Sequence, residues 1–175
     1  MTVVGLANID TARTGANVDA LDAKLLLLLT DAPRLGVLEC ARRLGVARGT
    51  IQSRMDRLTE QGVLDGFPPR VDLAAIGYGL TAFAVIEIAQ GSRTEVAAGL
   101  AAIDQVCEAH ATTGQGDLFV RMVARDHEDL QRVIDRIVAL PGVRRSNTSL
   151  ALTTPIPSRV RPLLERIAYD ETNSR

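Results

Sequence analysis

The sequence predicts an α+β protein in two parts: a small helical head, then a βαββαβ domain followed by one further helix. Three observations carry this expectation. Apolar residues recur at helical spacing between positions 19 and 61 and are interrupted at Pro33 and Gly45. The stretch "VLDGFPPRV" then forbids helix with two adjacent prolines. Beyond it, apolar strand-like runs alternate with amphipathic helical ones to about residue 154.

The chain has 175 residues, 46% of them hydrophobic and 23% charged, a balance typical of a folded protein. It holds three Phe, two Tyr and no Trp, so its cores must be built from Leu, Val, Ile and Ala. Two cysteines, Cys40 and Cys107, give no disulfide framework; both sit among apolar residues and are expected to be buried. No 18-residue apolar run occurs, and the first residues lack the basic start and apolar core of a signal peptide. The expected location is the cytoplasm, without a membrane role.

Residues 1–17 lack periodicity and are expected to form a flexible tail. Asp19 is placed to cap a helix through Leu21, Leu25, Leu28 and Leu29, with Asp22 favourable in its first turn. A second helix covers Val37–Leu44 and breaks at Gly45, and a third runs from about Arg48 to Gln61. The expected head is 18–66 and the linker 67–77. In the second part, "LTAFAVIEIA" (80–89) is apolar throughout and reads as a strand needing cover on both faces. "TEVAAGLAAI" (94–103) is helical. "VCEAHATT" (106–113) and "LFVRMVAR" (118–125) alternate as strands around a "GQGD" turn. "HEDLQRVIDRIVAL" (127–140) is helical and "VRRSNTSLALTT" (143–154) a last strand. This order is ferredoxin-like, over 78–154. Residues 155–175 form a helical extension, with Val160, Leu163, Leu164 and Ile167 facing inward on a helix at Ser158–Tyr169.

The stretch "ECARRLGVARGTIQSRMDRL" (39–58) sets Arg42, Arg43, Arg48, Arg54 and Arg57 against only Glu39 and Asp56, in a chain with 20 basic and 21 acidic residues. Ala41 is small where a second helix would cross closely, Gly45 suits a tight turn, and Val46 and Ile51 fill the angle between two helices. Ile51, Met55 and Leu58 share one face of the third helix. Its other face carries Gly49, Thr50, Ser53 and Arg57, flanked by Arg48, Gln52 and Arg54. Small and polar side chains there let a helix enter a major groove, and arginines reach phosphates or guanine edges. A solvated basic helix, with Arg57 paired to Asp56 or Glu60, is the simpler alternative that a charge run alone would favour.

With these segments in place, the chain resembles the Lrp/AsnC (feast/famine) family of transcriptional regulators over about residues 18–154. The segments that carry the likeness are "LDAKLLLLL", "ECARRLGVARGTIQSRMDRLTEQGVLDGF", "VDLAAIGYGLTAFAVIEI", "TTGQGDLFVRMVARDHEDLQRVI" and "LPGVRRSNTSLALT". The resemblance implies a winged helix-turn-helix head and a ferredoxin-like domain that dimerises through its sheet. It also implies an amino-acid effector bound between such domains of neighbouring dimers. Carried onto this chain, it implicates Thr113, Gly114, Gly116 and Asp117 of the turn, with Ser146 and Thr148 of the last strand. Glycine N–H groups can meet a carboxylate and an aspartate an α-ammonium, although Gly-x-Gly-Asp is also simply a good hairpin turn. The sequence departs from the family at Ala47, where a capping Ser is usual, and at Phe67-Pro68-Pro69.

Other chemistry finds little support. Cys107 and His110 would point to opposite faces of a strand, so no metal site is expected. "GQGDLF" is neither a Walker nor a dinucleotide sequence, and no enzymatic activity is expected. The expected function is a sequence-specific regulator that binds double-stranded DNA through 48–61. It would need no cofactor, respond to an amino-acid effector, and work as a homodimer or a larger tetramer or octamer. The alternative is an amino-acid-sensing module that regulates a partner protein and contacts DNA only non-specifically.

Overall fold

A computed structural model describes residues 16–66 and 68–170. Residues 1–15 of the expected tail at 1–17, and the departure at Phe67, lie outside the described residues. The described residues divide into two units, one of those up to 69 together with 158–170, the other of 70–157.

The head contains α1 (Ala20–Asp31), α2 (Val37–Leu44), α3 (Arg48–Glu60) and, from the far end of the chain, α6 (Arg161–Tyr169). The Asp19 carboxylate accepts the Asp22 N–H at 2.8 Å and Asp22 accepts the Asp19 N–H at 3.1 Å, a reciprocal capping box that starts α1. Gly45 ends α2 in the left-handed region at φ 67°, where a side chain would be strained. The chain reverses there and α3 begins three residues on. Ile51, Leu58, Cys40, Ala41 and the α1 leucines Leu25, Leu26, Leu27 and Leu29 make the core. From 61 to 79 the described residues hold turns but no ladder-paired strand, so the wing after α3 is a turn-bearing segment. Proline lacks the N–H a ladder needs.

α6 departs from expectation. It starts at Arg161 rather than Ser158, and it buries Leu164 and Ala168 against α1, while Val160 and Leu163 are exposed. Asp31 receives the Arg161 guanidinium at one end of the pair, and Lys24 stands 5.6 Å from the Tyr169 ring at the other. The two helices therefore run antiparallel.

The second unit contains β1 (Leu80–Ile88), α4 (Arg93–Ala101), β2 (Val106–Ala111), β3 (Leu118–Ala124), α5 (His127–Val138) and β4 (Val143–Leu150). The sheet order is β2-β3-β1-β4, antiparallel throughout. β2 and β4 stop short of their expected ends at 113 and 154. Cross-strand partners share a face, so Ala82, Ala84 and Ile86 line up with Met122, Val120 and Leu118. Those residues pack under Val96, Leu100, Leu130, Val133 and Ile137 of the two helices. The small alanines leave room for that cover.

The opposite face presents Phe83 and Val85 of β1 beside Phe119 and Arg121 of β3. The Phe83 and Phe119 rings stack with centroids 5.5 Å apart. The two helices thus cover β1 on one side only. Cys40 is buried as expected, but Cys107 is exposed, because β2 slips register between Val106 and Glu108 and turns it out of the ladder.

Candidate functional site

Helix α3 follows α2 across the Gly45 turn and shows Arg48, Gly49, Thr50, Gln52 and Ser53 to solvent. Arg48 is the first residue of the helix and makes no ion pair with a described residue. Ala47 occupies the N-cap with extended backbone (φ −65°, ψ 146°) and supplies no side-chain cap. First-turn N–H groups are left to bond something outside the helix. Around Gly49 a Cβ would meet nothing within 4 Å.

Arg54 and Arg57 sit differently. The Arg54 guanidinium donates through Nη1 to Asp22 Oδ1 at 2.7 Å and to Asp19 Oδ2 at 2.6 Å. Arg57 donates through Nη2 to Asp22 Oδ2 at 2.5 Å. Asp22 is wholly buried. Arg57 is therefore joined neither to Asp56 nor to Glu60; Asp56 instead accepts from Gln52 at 2.8 Å. On α2, Arg42 and Arg43 both donate to Glu39 at 2.7–2.8 Å. The hydrogen bonds from these two arginines hold the Glu39 carboxyl down at about 2. Burial works against ionisation of Asp19, but the Arg54 guanidinium and the Asp22 N–H outweigh it and keep that carboxyl below its usual range.

The local excess of basic charge is thereby largely neutralised within the fold. Asp19 and Asp22, from α1, stand beside the arginines of 39–58 and reduce the +3 of that stretch to +1. Asp22 is the residue that sequence reasoning missed. The Asp19-x-x-Asp22 spacing was legible as a cap, but nothing local says that the second carboxylate faces two arginines more than thirty residues away.

The second candidate set lies on the sheet unit. Thr113 and Gly114 are exposed in the turn between β2 and β3. Gly116 has φ 108°, and a Cβ there would run into the Val85 side chain, so this position needs glycine. Asp117 donates its N–H to the Ile86 carbonyl at 2.9 Å. Its Oδ2 accepts the Ile88 N–H at 2.8 Å, at the step where β1 slips register against β4. This carboxylate therefore braces the end of β1. Ser146 and Thr148 pair with Ile86 and Ala84 from the other flank of β1, on the helix-covered side. Their hydroxyls are buried and have no partner among the described residues. With β1 between them, the turn and these hydroxyls are separated by two strand spacings, about 10 Å, and do not form one cluster within a single chain.

His110 lies 3.6 Å from Glu108, which is bound by Arg121 at 2.8 Å. No group of three His, Cys, Asp or Glu able to hold a metal occurs among the described residues. No described helix is long and apolar enough to cross a membrane.

A helix-turn-helix whose second helix shows a small, polar face defines the class of DNA-binding proteins that read a groove with one helix. Family models agree. The AsnC-type helix-turn-helix domain matches residues 18–59 and the Lrp/AsnC ligand binding domain matches residues 81–161. The chain is 31% identical to the HTH-type transcriptional regulator FL11 of Pyrococcus horikoshii over 137 residues, 78% of this chain and 91% of that one. It is 28% identical to the regulatory protein AsnC of Haemophilus influenzae, over 83% and 99% of the two chains. Among solved structures, that of E. coli AsnC superposes with a TM-score of 0.78 at 28% identity, over 84% of this chain and 100% of the other. The feast or famine regulatory protein Rv3291c of M. tuberculosis, complexed with L-methionine, gives a TM-score of 0.73 at 26% identity, over 82% and 97%. The chain belongs to the Lrp/AsnC family of transcriptional regulators.

Proposed function

We propose that this regulator binds double-stranded DNA as a homodimer in the cytoplasm, placing Arg48, Gly49, Thr50, Gln52 and Ser53 of each α3 at the major groove. The observation that carries the reading is the exposed, uncapped start of α3. Arg48 and the first-turn N–H groups suit a phosphate, while the small side chains behind them permit close approach to base edges. Two heads on one dimer fit a pseudo-palindromic site with half-sites about one helical turn apart or a multiple of it.

The dimer forms through the open sheet face around Phe83, Val85 and Phe119, which water would otherwise cover at a cost. The effector is an amino acid held between sensing domains of neighbouring copies, consistent with the L-methionine complex of the M. tuberculosis relative. The glycines of the 113–117 turn offer N–H groups to its carboxylate, and Ser146 and Thr148 offer hydroxyls that gain from any partner. Because those two sets are apart within one chain, a second copy would have to complete the site.

The test is fluorescence anisotropy with DNA from upstream of the protein's own gene, against scrambled DNA of equal length, with L-methionine and other amino acids added in turn. Tighter, salt-sensitive binding to the upstream DNA is expected. Equal weak binding to both would favour a second reading, a sensing module acting on a partner protein. The pairing of four of the five arginines in 39–58 is the observation on that side.

A further inference from the structure

We propose that Arg54 and Arg57 are positioning residues: through Asp22 they fix the recognition helix α3 against α1, and they contribute no phosphate contact of their own. The inference rests on the reading of α3 as the recognition helix and specifies which of its charges meet DNA.

Three observations carry it. The Asp22 carboxylate is wholly buried beside the α1 leucines, and both its oxygens are taken by guanidiniums, Arg54 on one and Arg57 on the other. A guanidinium that left for a phosphate would strand a charge that water cannot reach, which is unfavourable unless another donor replaces it. Asp19 adds a second carboxylate on Arg54, so two negative and two positive groups cancel where the sequence shows only positive ones. Arg54 and Arg57 are also the least exposed of the polar residues on this helix, at 24% and 38% of their side chains. Arg48, by contrast, is exposed and has no ion-pair partner among the described residues.

The cluster also has a directional effect. Arg54 and Arg57 are three apart on α3 and so share one face, and Asp22 in the first turn of α1 stands with Asp19 at its N-cap to receive them. Four hydrogen-bonding groups in register define the rotation of α3 about its own axis. That rotation decides which side chains point outward, and here they are Thr50, Gln52 and Ser53.

The experiment is the salt dependence of DNA affinity for the full-length chain, measured by anisotropy on the upstream duplex, with a thermal melt of each variant. Each phosphate contact steepens the log–log slope by about 0.9. Arg48→Gln should flatten the slope by about that amount per head. Arg54→Gln and Arg57→Gln should lower the melting temperature and change base preference but leave the slope as in the parent. Arg57→Lys should recover part of the melting temperature. If Arg54→Gln or Arg57→Gln flattens the slope as Arg48→Gln does, the inference is overturned. Should those variants fail to fold, the double variant Asp22→Asn with Arg57→Gln removes both charges together and strands neither; its slope should match the parent's, and a slope flattened by about 0.9 per head overturns the inference. A parent protein without salt-dependent binding would overturn the recognition-helix reading itself, a result distinct from either of these.

Discussion

Gly49 stands in the first turn of α3 with open space where a Cβ would be. Its lack of a side chain gives that turn more freedom to lose on folding than alanine would. Gly49→Ala should therefore stabilise the head by roughly 0.5–1 kcal/mol, read as a rise in melting temperature. Ala47→Ser would add the missing cap and about 1 kcal/mol. The same cap would occupy an N–H that the proposed DNA contact uses, so DNA affinity should fall while stability rises. Gly116 is the opposite case. Its φ of 108° and the nearby Val85 side chain make Gly116→Ala destabilising by more than about 1 kcal/mol, measured by urea denaturation. The exposure of Arg48, Gly49, Thr50, Gln52 and Ser53 was legible because helical spacing sets them away from the buried Ile51 and Leu58. The partners of Arg54 and Arg57 were not legible, because they come from another helix.

Among the elements, α2 and α6 carry the sharpest expectations. Glu39 of α2 has its pKa lowered from 4.5 to about 2 by the Arg42 and Arg43 hydrogen bonds. A carboxylate with a depressed folded-state pKa contributes stability above its unfolded pKa and loses it as pH falls through the folded one. The head should lose stability between about pH 4.5 and 2, with Asp19 contributing in the same direction. Glu39→Gln should flatten that dependence in a melt series across the window. α6 is a second such element: Leu164 is 7% exposed and packed on α1. Leu164→Ala should cost the head about 2–5 kcal/mol and leave the sheet unit's own unfolding transition in place. The sequence pattern put Val160, Leu163, Leu164 and Ile167 inward because it spaced them correctly for a helix. Periodicity cannot say which neighbour a helix meets, and α1 meets the side bearing Leu164 and Ala168.

At the scale of the whole molecule, the sheet unit leaves one face of β1 without helix cover, the face assigned above to the proposed dimer. Burial on the inner face follows from the two helices, while Phe83, Val85 and Phe119 lie outside that cover. Val85→Asp should shift the protein toward monomer in light scattering and weaken binding to a two-half-site DNA much more than to a single half-site. A monomeric parent would contradict the proposed dimer. The family model for the ligand binding domain ends at residue 161, where α6 begins. The head is thus completed by a helix from beyond the sensing unit, and the chain passes between its two units twice.

By itself the sequence determined the element order, the helix-turn-helix and the apolar strands, because these follow from local periods and from the backbone demands of Gly and Pro. It also determined the surplus of arginine in residues 39–58. Tertiary structure decided which carboxylates two of those arginines, Arg54 and Arg57, pair with. Asp22 sits on α1 and Asp19 at its N-cap, far from the arginines in sequence, and only folding brings opposite charges within hydrogen-bonding distance, where the burial of Asp22 makes the pairing hold.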